Sequence, residues 1–134
     1  MVAAVGFRVP TVSVSAVEPV LPRFTYTKPV VQGPPAPLSK DELVSLIKQI
    51  AKEEGFTNVE YALAIVKCES NFNQYAVSRT GDYGLWQINK RSHPDITKEQ
   101  AFSASWSTRW SIKALKKGSR AWVCQKIIET EIVK

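Results

Sequence analysis

Two carboxylates lie within one stretch of the chain, residues 68–89, and two amide side chains follow the second of them; these residue types and their spacing suggest chemistry. Glu69 ends an apolar segment with helical periodicity, and Asp82 follows thirteen residues later between two glycines. Gln87 and Asn89 stand in the short, mostly apolar segment that comes next. An acid in apolar surroundings, a second carboxylate nearby and amides that can bind hydroxyl or acetamido groups are typical of enzymes that cleave sugar polymers.

The periodicity of apolar residues before Glu69 predicts the helix that must position this side chain. Asn58 can cap it, and one face then carries a residue at every third or fourth position: Tyr61, Ala62, Ile65, Val66 and Glu69. Glu69 is therefore expected on or beside the buried face, in the last turn. Apolar surroundings and the negative end of the helix dipole both raise the pKa of a carboxyl group there. The alternative is that Glu69 points to solvent beyond the helix end.

A preceding helix is indicated by Ser39 and Glu42, which form a capping box. An apolar stripe at helical spacing follows: Leu43, Leu46, Ile47, Ile50 and Ala51. Gly55 stands where a left-handed residue would end this helix.

The composition of residues 70–90 predicts a loop with short strands. Gly81 and Gly84 bracket Asp82 and Tyr83 as a turn requires, and the apolar residues that follow predict either a short strand or a helix start: Leu85, Trp86 and Ile88. Thr97 and Gln100 repeat the capping pattern, ahead of an aromatic-rich helical face that ends at Gly118: Phe102, Trp106, Trp110, Ile112 and Leu115. A last helix is predicted from Trp122, Val123, Ile127 and Ile128.

The first 38 residues differ from the rest, because they hold seven of the eight prolines. Such a density of proline prevents a lasting helix or central strand, so residues 1–38 are predicted to be a disordered or extended tail ahead of one domain, residues 39–134. The apolar start and the small-residue spacing of Val14 and Ala16 resemble a degraded secretion signal. A fragment whose true start lies upstream would look the same.

Charge and composition narrow the function classes. The net charge of +6 suggests an anionic partner such as nucleic acid, an acidic membrane face or a bacterial cell wall, or ordinary surface charge. Basic residues alternate with acidic ones and form no aromatic-lined stripe, which argues against nucleic acid. The sequence contains no run of about 18 apolar residues, so no membrane span is predicted. One histidine, His93, and two cysteines without metal-binding spacing, Cys68 and Cys124, predict neither a metal site nor a cofactor.

The sequence ESNFN at residues 69–73, followed by GDYGLWQIN at residues 81–89, resembles the lysozyme superfamily, and in particular soluble lytic transglycosylase (SLT) domains. The match is good from about Ala62 to Asn89 and looser as far as Cys124. The resemblance implies a mainly α, lysozyme-like α+β fold, with a small helical domain and a minor β-turn region beside the cleft. It implies that Glu69 is the general acid, and that in a transglycosylase the same group then accepts a proton from the 6-hydroxyl of the sugar.

By the same resemblance Asp82 matches the second carboxylate of lysozymes, although the loop before it is shorter than in animal lysozymes and a turn would also explain it. The expected substrate-binding residues are Ser70, Tyr83, Trp86, Gln87 and Asn89, with Trp86 stacking on a sugar ring at the cleft edge. Bracing of the local loop is the alternative for Gln87 and Asn89.

One departure from the family is visible. Soluble transglycosylases usually carry a Tyr-Leu pair in the later helix, with the tyrosine against the catalytic glutamate, and the matching pair here is Ala114-Leu115. We expect that role to be lost or to have moved to Tyr75 or Tyr83.

The resemblance also suggests a disulfide between Cys68 and Cys124, which would fit an oxidising compartment; two buried thiols are the alternative. The sequence therefore predicts an exported monomer of the cell envelope, the extracellular space or a phage particle. It would cleave the β-1,4 bond between N-acetylmuramic acid and N-acetylglucosamine in peptidoglycan as a lytic transglycosylase. A hydrolytic lysozyme that uses Asp82, and a non-catalytic glycan-binding module, are the other readings.

Overall fold

The computed structural model describes Gly6, Pro29 and residues 33–132. The helices and strands of the described residues lie in the second of two compact units, which begins at Pro34. The predicted tail falls mostly outside the described residues, and the suggested signal cleavage site falls wholly outside them.

The described domain contains five helices and one small sheet. The helices are α1 (Lys40–Glu53), α2 (Val59–Ser70), α3 (Lys98–Phe102), α4 (Ala104–Lys116) and α5 (Val123–Ile132). The sheet has two strands, β1 (Asp82–Tyr83) and β2 (Ile88–Asn89). This architecture confirms the predicted mainly helical fold with a minor β region. No helix among the described residues is both long and apolar enough to cross a bilayer.

Local sequence signals set the bounds of α1. The hydroxyl of Ser39 accepts a hydrogen bond from the Glu42 N–H at 3.2 Å, and the Glu42 carboxylate accepts one from the Ser39 N–H at 2.7 Å. This reciprocal pair is the predicted capping box. Beyond the helix, Gly55 has a φ of 69°, the left-handed conformation expected there.

Helix α2 follows its predicted stripe, with Ala62, Ile65 and Val66 fully buried and Glu69 half-buried in the last turn. Asn58 occupies the N-cap position, but its side chain makes no capping hydrogen bond.

A hairpin replaces the predicted turn at Asp82 and Tyr83. These residues form β1, pairing with Asn89 and Ile88 of β2 in antiparallel register. The short strands predicted for this loop are therefore present, and the prediction of a turn at these two residues was wrong. The glycines still act in turns, because Gly81 closes one just before β1 and Gly84 opens the next just after it, each with a φ above 80°. Of the alternatives for the next segment, the strand is confirmed, although only Ile88 and Asn89 belong to it.

The predicted aromatic helix divides into two at Ser103. This residue ends α3, and its hydroxyl caps α4 by accepting from the Trp106 N–H at 3.2 Å. The buried face of α4 differs from the prediction, since it is built from Ser107, Thr108 and Ser111 as well as Ile112 and Leu115. Small side chains suit this face because it packs against α1 and receives the buried indole of Trp86.

Helix α5 is present as predicted but presents a different face. Trp122 precedes it and is buried, whereas Val123 and Ile127 are 74% and 50% exposed. The buried residues of this helix are Cys124 and Gln125. The side chain of Gln125 accepts from the Trp122 N–H and donates to the Ser119 carbonyl oxygen. It thereby fixes the first turn of α5.

The residues just before α1 attach to the loop after α2. The Leu38 N–H donates to the side-chain oxygen of Gln74 at 3.0 Å, and the hydroxyl of Tyr75 donates to the Pro35 carbonyl.

Candidate active site

The chain turns sharply directly after Glu69. Helix α2 ends at Ser70, and the next two residues, Asn71 and Phe72, have φ values of 51° and 59°. Left-handed backbone is tolerated by asparagine but is rare for a bulky residue such as phenylalanine. The hydroxyl of Ser70 donates to the Leu85 carbonyl at 2.7 Å. This bond ties the end of α2 to the hairpin that carries Asp82.

Glu69 lies in a half-buried position where its protonated form is favoured. Burial raises the pKa of the Glu69 carboxyl, and the charge of Asp82 raises it further. One interaction opposes this rise, because Oε1 of Glu69 accepts a hydrogen bond from the backbone N–H of Cys124 at 3.1 Å. The net pKa is above that of an ordinary glutamate. The pKa of Glu69 is therefore shifted in the direction that a proton donor needs near neutral pH.

Asp82 has the opposite character. Its carboxylate accepts hydrogen bonds from the hydroxyls of Ser78 and Thr80 at 2.6 and 2.5 Å, and from the side-chain amide of Asn89 at 2.7 Å. Burial raises the pKa of Asp82, but the three hydrogen bonds outweigh it and hold the pKa below the ordinary value. Asp82 therefore carries a negative charge at neutral pH.

The two carboxylates line the same cavity, whose volume is about 160 Å³. The hairpin and the loop after it supply one part of its lining: Asp82, Gln87, Ile88, Asn89, Ser92 and His93. The helices and the segment leading into α5 supply the rest: Glu69, Trp110, Ala121, Trp122 and Val123. The lining of the cavity therefore combines polar and apolar side chains beside the two carboxylates.

The predicted amide residues Gln87 and Asn89 both line this cavity. The amide nitrogen of Gln87 donates to the carbonyls of Ala76 and Gly84, and Gln87 itself has a φ of 47°. The side-chain oxygen of Asn89 accepts from two backbone N–H groups of the following loop. Both amides therefore brace the loop, which was the alternative considered from sequence, while they also face the cavity.

Three other predicted substrate-binding residues do not line the cavity. Trp86 is fully buried, and its indole N–H donates to the Thr108 hydroxyl at 3.0 Å. The prediction that Trp86 stacks on a sugar was therefore wrong, because its ring is enclosed in the core. Ser70 braces the backbone, as described above, and Tyr83 packs its ring edge-to-face with Phe102 at 5.8 Å.

The family tyrosine has no counterpart at Tyr75 or Tyr83, since neither lines the cavity and the Tyr75 hydroxyl bonds to Pro35. The only hydrogen bond that the Glu69 side chain makes within residues 33–132 comes from Cys124.

A disulfide joins Cys68 to Cys124. It links the residue directly before Glu69 to the residue whose N–H binds Glu69. The cavity residues Trp122 and Val123 immediately precede Cys124. The bond therefore fixes one wall of the cavity as well as α5 itself.

Sequence reasoning missed several cavity residues. The sequence patterns gave His93 no binding role and placed Trp110 and Trp122 mostly in the core, with one or two tryptophans expected to stack on sugar and Trp86 preferred. His93, Trp110 and Trp122 instead line the cavity. The signal available was the aromatic content of the segments around them, but their convergence depends on tertiary packing. No group of three His, Cys, Asp or Glu side chains in the described ranges could hold a metal ion.

A small helical domain with a short hairpin and two carboxylates of opposite pKa shift in one cavity has the organisation of a lysozyme-like protein. The family comparison agrees, because residues 45–118 match the transglycosylase SLT domain. The match covers more than half of the chain and includes Glu69, Asp82, His93 and Trp110, so the chain belongs to the transglycosylase SLT domain family. Searches of curated proteins and of solved structures gave no match. Membership supports an enzyme of the peptidoglycan lytic transglycosylase type.

Proposed function

We propose that the domain cleaves the β-1,4 bond between N-acetylmuramic acid and N-acetylglucosamine in peptidoglycan without water. The observation that carries this proposal is the pair of carboxylates in one cavity, with the pKa of Glu69 raised and that of Asp82 lowered. Environments that push the pKa values of two acids apart in this way make one acid a proton donor and the other a stabilising anion. Family membership supplies the substrate class.

The proposed reaction begins with the protonated carboxyl of Glu69. It donates its proton to the bridging oxygen, the bond from that oxygen to C1 of the muramic acid breaks, and positive charge develops at C1 and the ring oxygen. The ionised carboxylate of Asp82 stabilises this charge. The 6-hydroxyl of the same sugar then bonds to C1 and passes its proton to the Glu69 carboxylate. A 1,6-anhydro ring results, and Glu69 is protonated again.

Two features of the cavity support the binding of an N-acetylated sugar. Gln87 donates both of its amide hydrogens to loop carbonyls, which leaves its oxygen as an acceptor for a sugar hydroxyl or acetamido N–H. Ile88 and Trp122 supply apolar wall beside Glu69.

Export to the envelope or the extracellular space belongs to the same proposal, because peptidoglycan lies there and a disulfide fits an oxidising compartment.

A hydrolytic lysozyme activity is the second candidate, and Asp82 is the observation that favours it. The carboxylate is ionised, held by three donors and adjacent to the same cavity as the acid. In that reaction Asp82 would stabilise or capture C1, and water would complete the cleavage.

Mass spectrometry of the fragments released from purified peptidoglycan tests the proposal. We expect anhydro-muropeptides, each lighter by one water molecule than the hydrolysed product. For Asp82→Asn we expect the same anhydro products at a rate reduced on the order of a hundredfold, because the charge that stabilises C1 is lost. Asp95→Asn, which changes an exposed acid outside the cavity, is the matched control.

Reducing-end products would instead show the lysozyme reaction. Binding to peptidoglycan without any release of fragments would show a non-catalytic module.

A further inference from the structure

Helix α5 begins without the usual side-chain cap. The first N–H groups of an α-helix have no partner within the helix, and a short polar side chain just before the helix commonly accepts a hydrogen bond from one of them. Here Trp122 directly precedes α5, and an indole has no acceptor to offer. The N–H of Cys124, in the first turn, instead donates to the Glu69 carboxylate at 3.1 Å. Glu69 therefore serves as the capping acceptor of α5.

The side chain of Gln125 holds this first turn in place. Gln125 is only 3% exposed, and its side-chain oxygen accepts from the Trp122 N–H at 3.1 Å. Its amide nitrogen donates to the Ser119 carbonyl at 3.0 Å and to the Tyr61 hydroxyl of α2 at 3.1 Å. One buried side chain thus fixes the segment that leads into α5 and joins it to α2, the helix that carries Glu69.

A second layer of hydrogen bonds supports Tyr61 from the surface. The Tyr61 hydroxyl donates to Oε1 of Glu129 at 3.2 Å, and the guanidinium of Arg120 donates to both oxygens of the same carboxylate at 2.7 and 2.9 Å. The side chains of Arg120 and Glu129 are far more exposed than that of Gln125. Loss of the Tyr61 hydroxyl would therefore weaken this outer layer and leave the bonds from Gln125 to the backbone of residues 119 and 122 in place.

Given the proposed function, we propose that Gln125 is a positioning residue for the general acid, because it aims the Cys124 N–H at Glu69. An N–H binds an ionised carboxylate more strongly than a neutral carboxyl group. In the proposed reaction Glu69 is neutral before it donates its proton, and it is ionised until the 6-hydroxyl of the sugar returns one. The aligned N–H therefore stabilises the form of Glu69 that exists between the two proton transfers.

The titration of Glu69 reports this contact. Burial raises the pKa of Glu69, the Cys124 N–H lowers it, and the charge of Asp82 raises it. In the described part of the chain, the ionisable side chains that line the cavity with Glu69 are Asp82 of β1 and His93 of the loop after β2, and α4 and the segment leading into α5 contribute uncharged residues. A substitution at Gln125 leaves both ionisable groups in place, so that it acts on Glu69 through the first turn of α5.

The variant Gln125→Met removes both polar ends of the side chain and nearly keeps its volume. We expect Glu69 to titrate about one pH unit higher in this variant, as for the loss of one hydrogen bond to a charged group. Carbon-13 NMR of the side-chain carboxyl group measures this, with the Glu69 signal identified by its absence in Glu69→Gln.

The same shift should appear in the rate profile. The alkaline limb of kcat/KM on soluble, uncrosslinked peptidoglycan strands reports the proton on the free enzyme's essential acid. In Gln125→Met this limb should move to higher pH by the same amount as the titration. On the plateau kcat should fall about tenfold, because the ionised form of Glu69 is less stabilised.

Two further variants separate positioning from a general loss of stability. Tyr61→Phe keeps the bonds from Gln125 to Ser119 and Trp122, and we expect it to lower the unfolding temperature without moving the titration or the rate profile. Gln125→Asn keeps a polar group but is one methylene too short to bond to both backbone groups, so it should move both curves in the same direction as Gln125→Met. It tests the proposal even if Gln125→Met fails to fold.

An unchanged Glu69 titration in the folded Gln125 variants would overturn the positioning role and leave the proposed function intact. An equal shift in Tyr61→Phe would also overturn it, because the effect would then follow stability, and so would a shifted titration with an unmoved rate profile. A parent protein that releases no fragments from peptidoglycan would remove the proposed function and the role of Gln125 with it.

Discussion

Replacing the disulfide by the pair Cys68→Ser and Cys124→Ser should both destabilise the domain and disturb the acid. The bond closes a loop with a sequence separation of 56 residues. In the chain-entropy treatment, a loop of this length restricts the unfolded chain by about 4 kcal/mol. A domain of this size has a total stability of about 5–15 kcal/mol, so the variant should fold but unfold readily.

The same disulfide holds Cys124, whose backbone N–H donates a hydrogen bond to Glu69. Without it, the first turn of α5 is held mainly by the buried side chain of Gln125, and the Cys124 N–H and the Trp122 wall gain freedom to move. We therefore expect activity per folded molecule to fall as well, even at low temperature where the variant remains folded.

Urea unfolding followed by circular dichroism measures the first effect, and the initial rate of peptidoglycan clearing, divided by the folded fraction, measures the second. A loss of stability below about 1 kcal/mol would refute the loop-closure reasoning. Undiminished activity per folded molecule would show that the contact between Cys124 and Glu69 does not depend on the disulfide. The double variant Ser105→Ala and Thr130→Ala, at two exposed hydroxyls of α4 and α5, serves as the control.

Three further predictions concern stability. Burial raises the folded-state pKa of Glu69 above its ordinary value of 4.5, so the protonated side chain contributes stability in acid that is lost as pH rises through the folded pKa. The stability of Glu69→Gln relative to the parent should therefore increase between acidic and neutral pH. A difference in urea midpoint that stays constant with pH would contradict this. Gly84→Ala should cost about 2 kcal/mol more than Gly81→Ala in thermal unfolding, because both glycines have positive φ but only a Cβ at Gly84 would clash with the Ala101 carbonyl oxygen. Equal losses would show that this clash relaxes freely. Ser111→Ala should be neutral or stabilising by about 1 kcal/mol, because the buried hydroxyl has no partner among the described residues; a loss above about 1 kcal/mol would reveal one.

Features set by short stretches of sequence were predictable. The capping boxes at Ser39 and Thr97 involve residues three apart, and both are present. The position of Glu69 in the last turn of α2 followed from periodicity alone, and the structure agrees.

The family resemblance suggested the disulfide between Cys68 and Cys124, which is present, but other features that depend on distant partners were not predictable. The burial of Trp86 requires a hydroxyl 22 residues away, on a helix face whose serines and threonine look polar in sequence. The hydrogen bond from Cys124 to Glu69 joins backbone to side chain across 55 residues, and a backbone donor leaves no signature in residue type. The orientation of α5 differed from the prediction because the disulfide and Gln125, rather than its apolar residues, determine which face is buried.

The central claim is that Glu69 is the general acid, and the variant Glu69→Gln tests it most directly. Glutamine keeps the size of the side chain and an oxygen that can accept from Cys124, but it cannot donate the proton. Glu60→Gln, an exposed change in the first turn of the same helix, is the matched control. The measurement is the initial rate at which purified peptidoglycan suspensions lose turbidity at neutral pH. We predict that Glu69→Gln is slower by about 10²–10⁴-fold while Glu60→Gln matches the parent. A folded Glu69→Gln protein that clears peptidoglycan at the parent rate would contradict the claim.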